Sequence, residues 1–363
     1  MDEYFFILGH LGNIGSRIEP LLGAHILNFS SSKVRRFDIN QQEIFGNSFP
    51  IDYLEKVLNI SKKDTNMVNI INCLPYFENK KILDICVKYN NIRYFDLSED
   101  IESTKYCYDM AMKAKLANKN MQFIPQCGLA PGMVSIIANK LINEFDSVES
   151  VKIRVGALPI NPTNLLKYNL TWSTDGLINE YCNPGIVLRN GKKIIVDPLE
   201  DYELITINGQ SYEAFNTSGG IGSLVETYEN KIPNIDYKTI RYIGHRDYMK
   251  FLLNDLGFKN RKDDLVSIFN DNIPKTNDDV VKILIKVSGY IDDKLYEKNY
   301  CHNIYGMETT FYNNEKIRFS AIQAATAYGL IYSIHSVILD SQLKNTFIKQ
   351  ENIPCVSLNH FKY

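Results

Sequence analysis

Three stretches of this 363-residue chain combine residue types that can do chemistry. The first is GHLGNIGSR (9–17), directly after an apolar run, EYFFIL (3–8), that reads as a strand. A glycine-punctuated turn from strand to helix lets backbone amides and a helix N-terminus face a pyrophosphate. Here Gly12 would admit the phosphates closely and Gly15 would let helix pack on strand, with Gly9, His10, Asn13 and Ile14 completing the turn. The usual fingerprint is Gly-x-Gly-x-x-Gly, and His10 sits where its first glycine would fall. The alternative is a tight turn with no ligand. The fingerprint also expects an acidic residue at the end of the second strand, for the ribose 2′-hydroxyl. The run AHILNF (24–29) reads as that strand, which puts Ser30 at the acid's place and leaves Asp38 as the first acid beyond it. Ser30, Ser31, Lys33 and Arg35 suit a 2′-phosphate better than a bare ribose, so NADP is expected over NAD. An ordinary solvated loop would have the same composition.

The second stretch holds Trp172, the only tryptophan, with Asp175 three and Glu180 eight residues further on. An aromatic face beside carboxylates can hold an alkylammonium by cation–π attraction and charge pairing. A core tryptophan with a helix-capping Asp175 would use the same residues without a ligand. The third is RYIGHRDYMKFL (241–252). His245 is of the type that exchanges protons near neutral pH, and Arg241 and Arg246 could grip a carboxylate bidentately, or form surface ion pairs. Asn216 and Thr217, in FNTSGG, could donate hydrogen bonds to the same group. Gly128, Leu129, Ala130 and Pro131 form a rigid turn ahead of an apolar helical run, able to press on a flat nicotinamide ring or to act as a domain hinge. Leu74-Pro75 ends a strand at the sheet's carboxyl edge, where doubly wound folds bind ligands. The histidines and cysteines show no ligand spacing, so no catalytic metal is expected.

Several of these motifs, in order, resemble the saccharopine dehydrogenase and lysine 6-dehydrogenase family: NCLPYFEN (72–79), YFDLSED (94–100), CGLAPGM (127–133), ALPINPTNLLKYNLTWSTDGLINEYCNP (157–184), YEAFNTSGG (212–220) and TIRYIGHRDYMKFL (239–252). The resemblance covers about residues 1–335. It implies a Rossmann domain, a second domain whose sheet often forms a homodimer interface, and NAD(P)-linked redox chemistry at a carbon–nitrogen bond of an amino acid or polyamine. In the related homospermidine synthases, a Trp and a Glu at the spacing of Trp172 and Glu180 resemble an amine-binding pair. The expected acid–base groups are then Glu180 and His245, with Asp96 behind them. Two other readings stay open: a homospermidine-synthase-like aminoalkyl transferase that keeps NAD bound, and a dinucleotide-binding sensor without turnover.

The elements that must position these residues fall into two patterns. Up to about residue 125, strands at 3–8, 24–29, 67–72, 92–96 and 121–125 alternate with helical segments at 13–22, 50–60, 77–89 and 100–118. Strands apolar on both faces, alternating with helices, imply a doubly wound parallel sheet. Beyond 130, VESVKIRVG (148–156) and VVKILIKVSG (280–289) alternate with period two, and Asn190-Gly191 marks a hairpin, so an α+β domain with a mixed, largely antiparallel sheet is expected. The expected division is a Rossmann domain at 1–130, a substrate and dimerisation domain at 131–317, and a C-terminal helix and tail (318–363) returning to the first. Forty Lys and Arg against 42 Asp and Glu give a net charge of −2, which argues against a nucleic-acid partner. Seven scattered cysteines point to free thiols. With no apolar stretch reading as a membrane span, a cytoplasmic homodimer acting on a small amine or amino acid is expected.

Overall fold

The computed structural model of the protein describes residues 3–25, 33–37, 54–55, 58–59, 67–310, 316–355 and 357. The chain divides into two compact units: Met1–Met133 with Thr310–Lys316 and Thr326–Pro354, and Val134–Thr309 with Ile317–Ala325 and Cys355–Tyr363.

The first unit is built on β1 (Glu3–Leu8), α1 (Gly15–His25), β2 (Lys33–Phe37), β3 (Met67–Asn72), α2 (Asn79–Cys86), β4 (Ile92–Asp96), α3 (Ile101–Leu116) and β5 (Met121–Ile124). The five strands pair in parallel in the order β2-β1-β3-β4-β5. Phe5, Ile7, Ile70, Ile71, Tyr94 and Phe95 are all fully buried although neighbours in sequence point to opposite faces. Both faces are therefore covered, which is why these strands read as unbroken apolar runs. From β1 the chain goes to one side to make β2 and to the other side for β3, so the order reverses at β1. Doubly wound sheets bind ligands at the carboxyl ends of strands beside such a reversal.

One expected strand is displaced. Of AHILNF only Ala24 and His25 are described, as the end of α1, residues 26–29 lying outside the described residues; the described strand that pairs with β1 on this side is Lys33–Phe37, with Tyr4 opposite Lys33 and Leu8 opposite Phe37. The valine and aromatic of KVRRF fit an edge strand, and the helix extends because Ala24 and His25 continue it. Ser30 and Ser31 lie outside the described residues, and of the helix expected at 50–60 only residues 54–55 and 58–59 are described, as helical.

The second unit begins with α4 (Met133–Ile142) and continues through β6 (Ser147–Pro159), α5 (Thr174–Cys182), β7 (Gly185–Arg189), β8 (Lys192–Val196), β9 (Glu203–Ile207), β10 (Gln210–Asn216), α6 (Leu224–Tyr228), β11 (Asn234–Arg241), α7 (His245–Lys250), α8 (Lys262–Asn272), β12 (Asp279–Ile291) and β13 (Lys294–Tyr305). Its eight-stranded sheet has the order β13-β12-β6-β11-β10-β9, with the β7–β8 hairpin joined to β11. Only β6 and β11 pair in parallel. Asn190 (φ 50°) and Gly191 (φ 77°) turn the hairpin with both residues left-handed, as a two-residue turn between twisted strands requires. Val281, Ile283, Ile285 and Val287 are wholly buried on one face of β12, whereas Lys286 on the other face is half-exposed. The late helix, α9 (Ala321–Leu339), corrects the expectation that no segment is long and apolar enough to cross a membrane: it meets that measure by length and composition, with 56% of the window buried within the protein. Core helices of folded domains meet the same measure when, as here, small residues such as Ala324, Ala325 and Ala327 are wholly buried.

Candidate active site

In the first unit the expected cofactor residues that follow β1, β3 and β5 lie at the carboxyl ends of those strands. After β1 the Gly12 amide bonds the Gly9 carbonyl at 3.0 Å, and α1 starts at Gly15. A side chain at Gly15 would place its Cβ 2.0 Å from the Gly9 carbonyl oxygen, so only glycine permits this turn. Gly9 has φ 76° and abuts Cys73 and Leu74, which brings the turn after β1 against Leu74-Pro75 after β3. Gly12 and Asn13 are exposed, Ile14 is half-buried, and His10 has a buried Nδ1 with no hydrogen-bond partner. An exposed glycine turn at a helix start, with an orphaned polar nitrogen beside it, fits the diphosphate of a nicotinamide dinucleotide. After β5, Gly128 to Pro131 form the second wall. Gly132 (φ 129°) would put a Cβ 2.2 Å from the Gly128 oxygen, and Met133 closes the turn by donating to Gly128 at 2.9 Å. Leu129 is buried, and Gly329 of α9 packs against the Gly128 backbone. Lys33 and Arg35 lie within β2 rather than in a loop after it.

Asp96 does not present a free acid. It is 2% exposed, and its Oδ1 accepts the amides of Ser98 at 3.0 Å and Gln126 at 3.1 Å. Burial pushes its carboxyl up to about 6, against the pull of those amides. Asn79 bridges towards it, at 3.5 Å, from a buried network in which Asn72 donates to Asn79 and to the Tyr94 hydroxyl. Asp96 therefore ties the loop after β4 to the turn after β5. Asp100 is likewise occupied, accepting the Ser103 amide at 2.7 Å as the N-cap of α3. The remaining acid of this loop, Glu99, is half-buried, and burial pushes its carboxyl up to about 7. The sequence reading passed over Glu99, because nothing in YFDLSED distinguishes the capping acid from the one left over.

In the second unit Glu180, Thr217 and Arg241 of the expected amine site lie among buried tyrosines. Glu180 of α5 is 6% exposed, and its charge bears on Tyr168, Tyr181, Tyr237 and Arg241. Trp172 is half-buried and packs on the apolar cluster containing Leu177, Tyr181 and Met249. Arg241, at the end of β11, is 2% exposed. Its Nε donates to the Tyr181 hydroxyl at 2.7 Å, one Nη donates to the Ile240 carbonyl at 2.9 Å, and its guanidinium lies 5.3 Å from the Tyr168 ring centre. Burial opposes its charge, but Tyr181, Tyr168 and Glu180 outweigh that and hold its pKa above the usual value. Thr217 and Thr239 share a hydrogen bond at 2.8 Å on this face, and the Tyr237 ring packs where any Cβ on Gly220 would sit. The buried hydroxyls of Tyr168 and Thr171 have no hydrogen-bond partner of good geometry.

Four expected site residues are placed otherwise. His245 is wholly buried, and burial, then the charge of Arg241, pushes it down to about 3, so it is neutral at physiological pH and not a proton-exchanging group there. Asn216 lies opposite Lys238, one residue out of phase with the Thr217, Thr239 and Arg241 set, so the pleat turns it to the other face. Asp175 is exposed in the first turn of α5, whose cap is Ser173 accepting the Gly176 amide at 3.1 Å. Arg246 donates to the Leu199 carbonyl at 2.7 Å and pairs with Asp247 and Glu200, a surface tie rather than a substrate grip. The tyrosines at 168, 181 and 237 are the pocket residues missed in the sequence, where 23 tyrosines give no reason to single out three.

A doubly wound parallel sheet and a second, mixed sheet with a buried, partly unsatisfied polar cluster define a Rossmann unit followed by a mixed-sheet unit. The family model of the saccharopine dehydrogenase C-terminal domain matches residues 128–347, and the chain belongs to the saccharopine dehydrogenase family. Among solved structures it is similar to the apo saccharopine dehydrogenase (L-Glu forming) of Saccharomyces cerevisiae, with TM-score 0.68 and 14% identity over 96% of this chain and 94% of that one. It is also similar, with TM-score 0.46 and 10% identity, to the DAP dehydrogenase of C. glutamicum, over 97% of this chain and 93% of the other. Among the described residues no group of histidine, cysteine or carboxylate side chains is arranged to hold a metal ion.

Proposed function

We propose that the protein is an NAD(P)-dependent oxidoreductase acting at the carbon–nitrogen bond of a saccharopine- or lysine-like amino acid. The observation that carries this reading is the second-unit polar cluster, where buried tyrosines, a buried carboxylate and a buried guanidinium stand together. When bound, a nicotinamide dinucleotide supplies the hydride acceptor or donor. Gly9, Gly12 and the start of α1 would hold its diphosphate, and Leu74-Pro75 and Gly128 to Pro131 would line its length. Trp172 and Glu180 receive the substrate nitrogen, the indole by its face and the carboxylate by charge. Glu180 is the acid–base group at that nitrogen, and Arg241 takes a carboxylate of the substrate. The tyrosines exclude water and keep these charges in a medium where they act strongly.

The cofactor preference shifts with the position of β2. An acid at the end of this strand holds the ribose 2′-hydroxyl, and the residue that follows β2 in the sequence is Asp38, which lies outside the described residues. The reading now favours NAD. Calorimetric titration with NADH and NADPH, followed by absorbance at 340 nm with saccharopine, lysine and related diamines, tests the proposal. Tight nucleotide binding with net reduction by one amine is expected. Tight binding without net absorbance change would point instead to a transferase that returns its hydride within each turnover. No nucleotide binding would overturn the reading.

A further inference from the structure

We propose that Tyr181 and His245 are positioning residues that lock the Arg241 guanidinium as a preformed seat for a carboxylate, so that the protein selects amino acids over bare polyamines. This rests on, and deepens, the assignment of the second-unit pocket to an amine substrate.

The direction of every bond in the chain of contacts is fixed by chemistry. His245 Nδ1 lies 2.8 Å from the Leu166 carbonyl oxygen, which only accepts, so Nδ1 carries the proton. In the neutral ring Nε2 is then an acceptor, and its partner at 3.0 Å is the Tyr181 hydroxyl, which must donate. That leaves the Tyr181 oxygen as the acceptor facing Arg241 Nε at 2.7 Å. A charged histidine would donate from both nitrogens and break this order; its burial and the adjacent guanidinium keep it neutral. The imidazole also meets the rings of Tyr168 and Tyr181 at 5.5 and 5.7 Å between centroids, so its plane is held from two sides. Arg241 is thus fixed by Tyr181 on one edge and by the Ile240 carbonyl at one terminal nitrogen. Beside it the Tyr168 hydroxyl, on a wholly buried side chain, has no hydrogen-bond partner of good geometry. Thr171 and Trp172 reach that phenol, neither with full hydrogen-bond geometry, so an anion at the guanidinium gives it a better acceptor. Glu180 supplies the opposite charge in the same cluster, matching a ligand that carries both an ammonium and a carboxylate.

The probes are L-lysine, L-saccharopine and cadaverine, which keeps the diamine of lysine without its carboxylate. Each is titrated into the full chain and followed by the emission of Trp172 and by calorimetry. The wild type should bind a carboxylate-bearing probe more tightly than cadaverine. Tyr181→Phe, which removes only a hydroxyl, should weaken that probe about tenfold and leave cadaverine within about twofold. His245→Leu should do the same, and His245→Gln, whose amide oxygen can accept from Tyr181, should recover most of the loss. Equal loss for both probes, or full affinity in Tyr181→Phe, overturns the proposal, as does a wild type that prefers cadaverine or binds no carboxylate-bearing probe. Nicotinamide binding and amine-dependent reduction are separate readouts, so a failed carboxylate seat is distinguishable from a failed oxidoreductase assignment.

Discussion

The Asp96 carboxylate accepts the backbone amide of Gln126 at 3.1 Å, joining two loops thirty residues apart in sequence. The same oxygen takes the Ser98 amide, so one buried acid sets both the loop after β4 and the entry to the Gly128–Pro131 turn. Asp96→Asn can keep an oxygen for both amides, whereas Asp96→Ala leaves two buried donors unpaired, a cost of about 2–6 kcal/mol from two groups. Denaturant unfolding should show a small loss for Asn and a large one for Ala, and nicotinamide affinity should fall with Ala. The sign of the pH effect also follows. Because the folded carboxyl is raised to about 6, its contribution to stability is complete below the unfolded value and is lost as pH rises through about 6. The Asn variant should lack that decline. An Ala variant as stable as wild type would show that the amides are satisfied elsewhere.

His245 gives the opposite sign. Its folded pKa is depressed to about 3, so its contribution is present above the unfolded value near 6.5 and is lost as pH falls towards 3. Over that window the wild type should lose up to about 1.4 kcal/mol of stability per pH unit from this one group. His245→Gln should unfold with a shallower acid slope when urea midpoints are compared from pH 4 to 7. Identical slopes would mean the imidazole is accessible to protons in the folded protein.

Glu99, in the loop after β4, has a carboxyl that burial raises to about 7. If it takes part in proton exchange, Glu99→Gln should remove a limb near pH 7 from the kcat/KM profile and lower the plateau at least tenfold. Under the proposed function, in which Glu180 also holds the substrate nitrogen, Glu180→Gln should instead raise KM for the amine as well as lower kcat. An unchanged profile in Glu99→Gln would assign that residue to the loop alone.

Trp172 packs on the core cluster, and the proposed function adds a cation-binding role, so the two can be separated. Trp172→Phe keeps an aromatic face and should raise KM for an amine only about threefold, while Trp172→Ala should raise it about tenfold or more. Thermal unfolding measured alongside distinguishes lost packing from lost cation binding. Unchanged KM in the Ala variant would return Trp172 to a purely structural role.

The sequence was most readable where periodicity and turn chemistry decide the outcome. The buried strands Met67–Asn72 and Ile92–Asp96, the long alternating strand Asp279–Ile291 and the Asn190-Gly191 hairpin were expected from local pattern and are found as such. β2 was missed because AHILNF has apolar density without the pairing partner that decides between helix and strand, and that partner is tertiary. Trp172, Glu180 and Arg241 could be singled out in the sequence through their types, their spacing and the family resemblance. His245 was misread because a histidine's role depends on burial, which the motif does not encode, and Asn216 because a one-residue change of phase sends a strand residue to the other face. Tyr168 and Tyr181 acquire meaning only through the guanidinium they surround.

Cofactor choice offers the sharpest test of how a strand's position alters a functional reading. With β2 at Lys33–Phe37, Lys33 and Arg35 are strand residues, and the next residue in sequence is Asp38. A carboxylate following this strand accepts from the ribose 2′- and 3′-hydroxyls and repels a 2′-phosphate. Asp38→Ser should therefore weaken NADH about tenfold or more by calorimetry and leave NADPH unchanged or improved. Lys33→Ala with Arg35→Ala should change both nucleotides equally. If the double variant weakens NADPH selectively and Asp38→Ser affects neither, the basic residues hold a 2′-phosphate and the enzyme uses NADP.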